Sequence, residues 1–185
     1  MTGTPFPILL ATTNLAKQAK LRWMLENLHL SLHTPQEFGM SIEVSENAPT
    51  HQQIALQKAQ AWSNQAEGVA IASDGGLVIP KLGGKWSSLH THRFAGPNTD
   101  DLGRLDRMIK LLASQKNGEQ RAHFVEAVAV AWNGTALAVW EATGASGVLV
   151  SSYDPRRVIP GFWAASILYF PSHQKLYLDM SNKEQ

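Results

Sequence analysis

The stretch that most constrains this fold is Val69-Ala70-Ile71-Ala72-Ser73-Asp74-Gly75-Gly76-Leu77. An apolar, partly β-branched run that stops at an acid and two glycines predicts a buried strand ending in a turn, with Asp74 carried at the strand's mouth. Open α/β sheets bind their ligands at such a place, outside the carboxyl ends of the strands. Two glycines would free the backbone for positive φ and for the close approach of an anion or a metal. The same letters also suit an ordinary Asp-Gly turn between two strands. The rest of the chain has to decide between them.

A chain of 185 residues with 44% hydrophobic content can bury one sizeable core. We therefore expect a single domain over residues 1–185, in two lobes. Sixteen Lys and Arg against fifteen Asp and Glu leave a formal charge of +1, so no long-range field gathers nucleic acid or an anionic membrane. Neither is expected as a partner, and an anionic ligand must be held by a few placed groups. The lack of cysteine removes disulfides, thiolate nucleophiles and cysteine-based zinc sites, and is compatible with a reducing interior. No basic-then-apolar leader precedes Pro7, and no apolar run reaches the length of a membrane span. The expectation is a soluble cytoplasmic protein.

Phe6 to Ala11 reads as a first buried strand feeding the polar turn Thr12-Thr13-Asn14. A helix follows, with Asn14 as its cap and Leu15, Ala19, Leu21, Trp23, Leu25 and Leu28 near one face. A strand, a turn and a helix start form a general phosphate-binding device, because the first helical N–H groups lack partners and the dipole favours negative charge. Lys17, one turn in, can reach the same anion, although Asn14 is equally suited to capping alone. The junction is no Walker loop, since the Gly-Lys-Ser/Thr ending is absent.

Leu30–His33 reads as a second strand and Ile42-Glu43-Val44 as a short edge strand. Thr50, with Gln53 three residues on, caps a helix over about His51 to Gln65, with Ile54, Ala55, Lys58, Ala61 and Trp62 along one stripe. A lysine on that stripe either meets an acid or an anion, or snorkels to water. Leu77–Pro80 is read as a further strand and Lys85–Gly96 as an exposed loop, in which His90 and His92 would share a face if extended. With no third ligand nearby, that pair is a poor zinc site. Asn98–Gln115 reads as a helix with acids in its first turn, Leu102, Leu105, Met108, Ile109 and Leu112 inward, and Lys110 and Lys116 late. Arg121–Trp132 and Ala136–Gly144, joined by Asn133-Gly134, carry the strongest short-range hairpin signal in the chain. Strands at Gly147–Ser152 and Ile167–Phe170 complete an alternation that predicts an α/β protein with a mixed, twisted sheet, flanking helices and a ligand cleft between two lobes.

Several of these residues resemble one family, the inosine triphosphate pyrophosphatases, which cleave non-standard purine nucleoside triphosphates to the monophosphate and pyrophosphate. Ala11-Thr12-Thr13-Asn14-Leu15-Ala16-Lys17 is similar to that family's first phosphate-binding turn, with its two glycines replaced by Thr13 and Ala16. Glu46, Lys58 and Asp74, spaced by 12 and 16 positions, match the family's metal-binding Glu, phosphate-facing Lys and catalytic Asp. Ser73-Asp74-Gly75-Gly76-Leu77 stands where the family has Asp-Asp-Ser-Gly-Leu, so the second acid survives without the first. Leu82-Gly83-Gly84, Arg93-Phe94-Ala95-Gly96 and Arg121-Ala122-His123-Phe124 continue the likeness. The base-recognition end departs from it. Gly161-Phe162-Trp163-Ala164-Ala165-Ser166 replaces Gly-Phe-Gly-Tyr-Asp-Pro, and the later Ser-His-Arg has no counterpart. Tyr153-Asp154-Pro155 is the alternative match, at the expense of the downstream register.

The resemblance implies an elongated two-lobed fold that pairs into homodimers, and a Mg²⁺-dependent reaction on a nucleoside triphosphate. It assigns the metal to Glu46 and Asp74, catalysis to Asp74 and Lys58, and phosphate binding to Thr12, Asn14, Lys17, Lys58 and Gly75. A base stacked on Phe162 or Trp163 would be read with altered or relaxed specificity. A nucleotide-binding or structural descendant without useful catalysis is the alternative that the replacements at Ser73 and Ala164-Ala165 leave open.

Overall fold

The computed structural model describes residues 6–91, 93–115, 120–181 and 184. His92 and Lys116 lie outside them. Among the described residues, eight strands and three α-helices are formed: β1 Pro7–Leu10, α1 Leu15–Leu25, β2 Ser31–His33, α2 His51–Gln65, β3 Val69–Val78, α3 Asp101–Ala113, β4 Arg121–Trp132, β5 Thr135–Thr143, β6 Gly147–Leu149, β7 Leu168–Phe170 and β8 Lys175–Leu176. The strand order is β2-β1-β3-β4-β6-β7-β8, with β5 paired to β4. β1 runs parallel to β2 and β3, whereas β6 is antiparallel to β4 and β7, and β7 to β8. The sheet is therefore mixed, as the alternation predicts.

The chain divides into two compact units, one comprising residues up to Gly75 with Glu126–Ala142, the other Gly76–Val125 with the residues from Thr143 onward. In the first unit, parallel pairing sets Leu9 opposite Ala70 and Leu10 opposite Ile71. The period of two then sorts side chains onto opposite faces. Leu9, Ala11, Ala70 and Ala72 pack with Ala55, Ala59 and Trp62 of α2 and Ala127, Ala129 and Ala131 of β4, while Ile8, Leu10 and Ile71 pack with Leu21 of α1. Apart from Leu9 and Trp62 this contact is made of alanines, whose methyl groups fill little space between helix and strands. Parallel pairing also carries the end of β1 and the late residues of β3 in the same direction, and Ala11 N–H donates to Ile71 O at 2.7 Å. The turn Thr12–Asn14 thus emerges beside Ser73-Asp74.

The most consequential correction concerns β3. The strand does not stop at Asp74 but runs through Gly75-Gly76 to Val78, absorbing the separate strand expected at Leu77–Pro80. Neither glycine takes positive φ. Gly76 is required for space: a Cβ there would lie 2.3 Å from the Ser88 carbonyl oxygen. The doublet is part of a strand rather than a turn, and Gly76 is its closely covered member.

Other differences are smaller. Ile42–Val44 forms no strand. On α1 the buried residues are Gln18 and Leu21, whereas Leu15 is 73% exposed. Gln18 turns inward because its amide donates to Thr12 O at 2.8 Å. On α2, Ala59 rather than Ala61 is fully buried, and on α3 Arg104 is buried in place of Leu102, its guanidinium 2.7 Å from Asp101. Thr50 caps α2 as expected, accepting from Gln53 N–H, whereas Asp100, expected within the first turn of α3, is its cap and accepts from Gly103 N–H. Asn133 and Gly134 both take positive φ, 44° and 77°, as a two-residue hairpin turn of the primed type requires.

The second unit is built on aromatic and aliphatic packing. Leu77, Ile79, Trp86, Leu105, Met108, Leu112, Trp163, Ile167, Leu168 and Phe170 belong to one buried cluster. Trp86, placed in an exposed loop on sequence grounds, is buried with its indole N–H donating to Leu77 O at 2.6 Å. His90, the described member of the expected histidine pair, ends a short 3₁₀ turn, Ser88–His90.

Candidate functional site

Three segments of the first unit meet at Asp74. The first is the N-terminus of α1, where the Asn14 side-chain oxygen Oδ1 accepts from the backbone N–H groups of Ala16 at 2.9 Å and Lys17 at 3.3 Å. Asn14 is itself held by a bond from its N–H to Thr12 Oγ1 at 3.2 Å. Capping at this position steers Lys17 toward β3, and its ammonium donates to Ser73 O at 3.3 Å and lies 3.8 Å from Asp74 Oδ1.

The second segment is the buried side of α2. Lys58 Nζ bonds Asp74 Oδ1 at 2.9 Å and Glu46 Oε1 at 2.7 Å, so the lysine that broke the apolar stripe meets two acids rather than snorkelling to water. His51, the first residue of α2, is buried and contributes a 2.5 Å contact from Nδ1 to Asp74 Oδ2. The third segment, β3, supplies Asp74 itself, only 7% exposed.

Electrostatics follow from this geometry. Burial pushes the Asp74 carboxyl up, but the His51 hydrogen bond and the charges of Lys17 and Lys58 outweigh it and leave Asp74 below the ordinary carboxylate value. For Lys58, burial acts downward and is exceeded by Asp74 and Glu46, so the ammonium is held above its usual range. Lys17 goes the other way. Its burial, together with repulsion from Lys58, exceeds the attraction of Asp74 and Glu126 and lowers it. Asp74 is thus an ionised acceptor, and the 2.5 Å contact is made by an Nδ1–H that donates to it.

Of the residues predicted from sequence, Lys17, Lys58, Glu46 and Asp74 converge, and Thr12 and Asn14 shape the approach to them. Gly75 follows Asp74 in β3 with its φ outside the positive range. Glu46 comes from the irregular segment before α2, and its side chain is 42% exposed. Phe162 and Trp163 belong to the second unit. The Phe162 ring is half-buried, 5.1 Å from Phe124 and edge-on to Tyr177 at 5.4 Å. Trp163 is only 3% exposed and stands edge-on to Trp86 in the core, so its faces are already covered by protein. Sequence reasoning passed over His51. Its signal was available, since positions 51 and 58 are seven apart, two helical turns, and share a face.

Comparison with known sequences adds the lineage of this arrangement. The profile of the Ham1 family matches residues 8–185. The chain belongs to the Ham1 family. Over 179 residues it is 28% identical to a dITP/XTP pyrophosphatase of Bacillus anthracis, spanning 96% of this chain and 87% of that protein. A dITP/XTP pyrophosphatase of Coxiella burnetii is 27% identical over 184 residues, with 96% and 87% covered. Among solved structures, a HAM1 protein from Coxiella burnetii superposes with a TM-score of 0.80 at 25% identity, covering 97% of this chain and 89% of that one. The Ham1 protein of Staphylococcus aureus gives 0.75 at 22% identity, with 96% and 88% covered, a likeness of fold.

Within this Ham1-family chain, no group of three or more His, Cys, Asp or Glu side chains converges as a metal cage among the described residues. A pair of carboxylates sharing one ammonium is short of a zinc centre's ligand set. It is the donor set Mg²⁺ uses, since that ion takes one or two carboxylates and completes its shell with water and phosphate oxygens. No helix among the described residues is long and apolar enough to cross a membrane.

Proposed function

We propose that this chain is a Mg²⁺-dependent nucleoside triphosphate pyrophosphatase that hydrolyses its substrate to the monophosphate and pyrophosphate, with altered or relaxed base specificity. The observation that carries the reading is the Lys58 ammonium held between Glu46 and Asp74, with Lys17 beside it. Family membership and the names of the relatives agree with it. A polyphosphate brings several negative charges, and Lys17 and Lys58 offer the compensating cations. As they turn to phosphate oxygens, Glu46 and Asp74 become available to a metal. Thr12 and Asn14 set the backbone N–H groups at the start of α1, where the dipole favours an anion, and Gly75 leaves the strand surface bare.

Mg²⁺, when bound by Glu46 and Asp74, neutralises charge on the phosphate oxygens. Asp74, ionised at neutral pH, orients a water for attack at the α-phosphorus and accepts its proton. The new oxygen–phosphorus bond forms as the bond from the α-phosphorus to the bridging oxygen breaks. Pyrophosphate leaves with the electron pair. Base stacking falls to Phe162, because Trp163 is enclosed in the core. Weak selection among bases follows from Ala164-Ala165 standing where the resembling family carries polar groups. A second reading, nucleotide binding without useful turnover, is favoured by one observation: both Asp74 oxygens already have protein partners.

Pyrophosphate release from a panel of standard and deaminated nucleoside triphosphates, with and without Mg²⁺, tests the proposal. Release that needs the metal and falls by roughly a hundredfold or more in Asp74→Asn is the expected result. Binding without release supports the second reading, and neither binding nor release removes both.

A further inference from the structure

His51 has no part in the scheme above, yet it makes the shortest polar contact to the carboxylate on which that scheme depends. We propose that His51 is a positioning residue that anchors Asp74 through Oδ2 and so reserves Oδ1 as the oxygen that works on the substrate. The inference rests on the pyrophosphatase reading of the site and extends it to a residue and to a division of labour between two oxygens.

The geometry separates the two oxygens cleanly. Oδ2 is bonded by His51 Nδ1 at 2.5 Å, whereas Oδ1 faces the ammonium groups, Lys58 at 2.9 Å and Lys17 at 3.8 Å. The terminal torsion of an aspartate is broad and roughly two-fold, so an unanchored carboxylate can present either oxygen. A ring donor on one oxygen removes that freedom. The two kinds of partner also differ in mobility. Lysine ammoniums end four-carbon stems and can leave for a phosphate without disturbing the backbone. The imidazole is 6% exposed and sits at the first residue of α2, next to Thr50, whose hydroxyl accepts from Gln53 N–H at 3.2 Å. His51 therefore keeps its hold while the lysines exchange partners. Carboxylates at reactive or metal sites work best with such outer support, and its removal typically costs 10–100-fold.

The test compares His51→Ala and His51→Asn in the full chain. An asparagine amide nitrogen can occupy the Nδ1 position and still donate to Oδ2; alanine cannot. Steady-state kinetics with the best triphosphate in the panel should show kcat reduced by roughly 10–100-fold in His51→Ala with KM little changed, and a substantial part of kcat recovered in His51→Asn. In the Asp74→Asn background, His51→Ala should cause little further loss, because the group it positions is gone. Thermal melts of each variant separate this from simple unfolding, since destabilisation alone lowers the active fraction without the asparagine rescue. A wild type that turns over while His51→Ala matches it overturns the inference and leaves the function standing. Equal losses in His51→Ala and His51→Asn, both still folded, also overturn it. A wild type that releases no pyrophosphate from any triphosphate overturns the reading of the site itself, and this inference with it.

Discussion

The two units spend their interiors differently. Around Asp74 the first unit buries or half-buries a carboxylate, two lysines and a histidine, and satisfies them with one another. The second unit fills the space around Trp163 with rings and aliphatic side chains, buries the local ion pair Arg104–Asp101 within one turn of α3, and carries others such as Asp154–Arg156 and Arg157–Asp179 at its surface. Desolvating charge is costly and is offset only by close pairing. A core built for stability alone would be expected to look like the second. The first tolerates charge where charge has a use, and the comparison marks the site independently of any motif.

That contrast can be broken by mutation. Trp163→Ala should cost about 4 kcal/mol by opening a cavity in the second unit, read from the denaturant midpoint. A loss under about 1 kcal/mol would mean that the ring is not structural. Lys58→Met should cost about 3 kcal/mol by removing the ammonium that two acids share, and most of that loss should return when Asp74→Asn is added, a coupling with no parallel in the aromatic cluster. Gly76→Ala should cost about 2 kcal/mol, because its new methyl meets the Ser88 carbonyl. Ser166→Ala should be neutral or gain up to about 1 kcal/mol, since that buried hydroxyl has no hydrogen-bond partner among the described residues.

The smallest effect concerns the surface of the second unit. Hydrogen bonds from the Arg156 side chain and backbone hold the Asp154 carboxyl down at about 2, against an ordinary 3.8. A depressed carboxyl adds stability that is present above the ordinary value and lost as pH falls toward about 2. Asp154→Asn should flatten that part of the stability profile. The change should be slight and shrink with salt, because Arg156 is 88% exposed.

Local chemistry was enough for much of this protein. The caps at Asn14 and Thr50 and the primed turn at Asn133-Gly134 were legible because their geometry depends on residues two or three apart. Lys58 stood out because a charge interrupted an apolar period. Other features depended on distant partners and were not legible. Gly75-Gly76 has the letters of a turn and the backbone of a strand, and what makes a glycine necessary at 76 is the distant Ser88 carbonyl. Gln18 is inside and Leu15 outside because the Thr12 carbonyl rewards the amide.

What the amino-acid order determined by itself was which residues could cap, turn, alternate and carry charge, since those are short-range properties of backbone and side chain. Tertiary structure alone decided which charges meet. Parallel pairing of β1 with β3 aligned the start of α1 with Asp74, and α2 brought His51 and Lys58 to opposite oxygens of one carboxylate. Electrostatic energy depends on distance through space, and no reading along the chain supplies that distance.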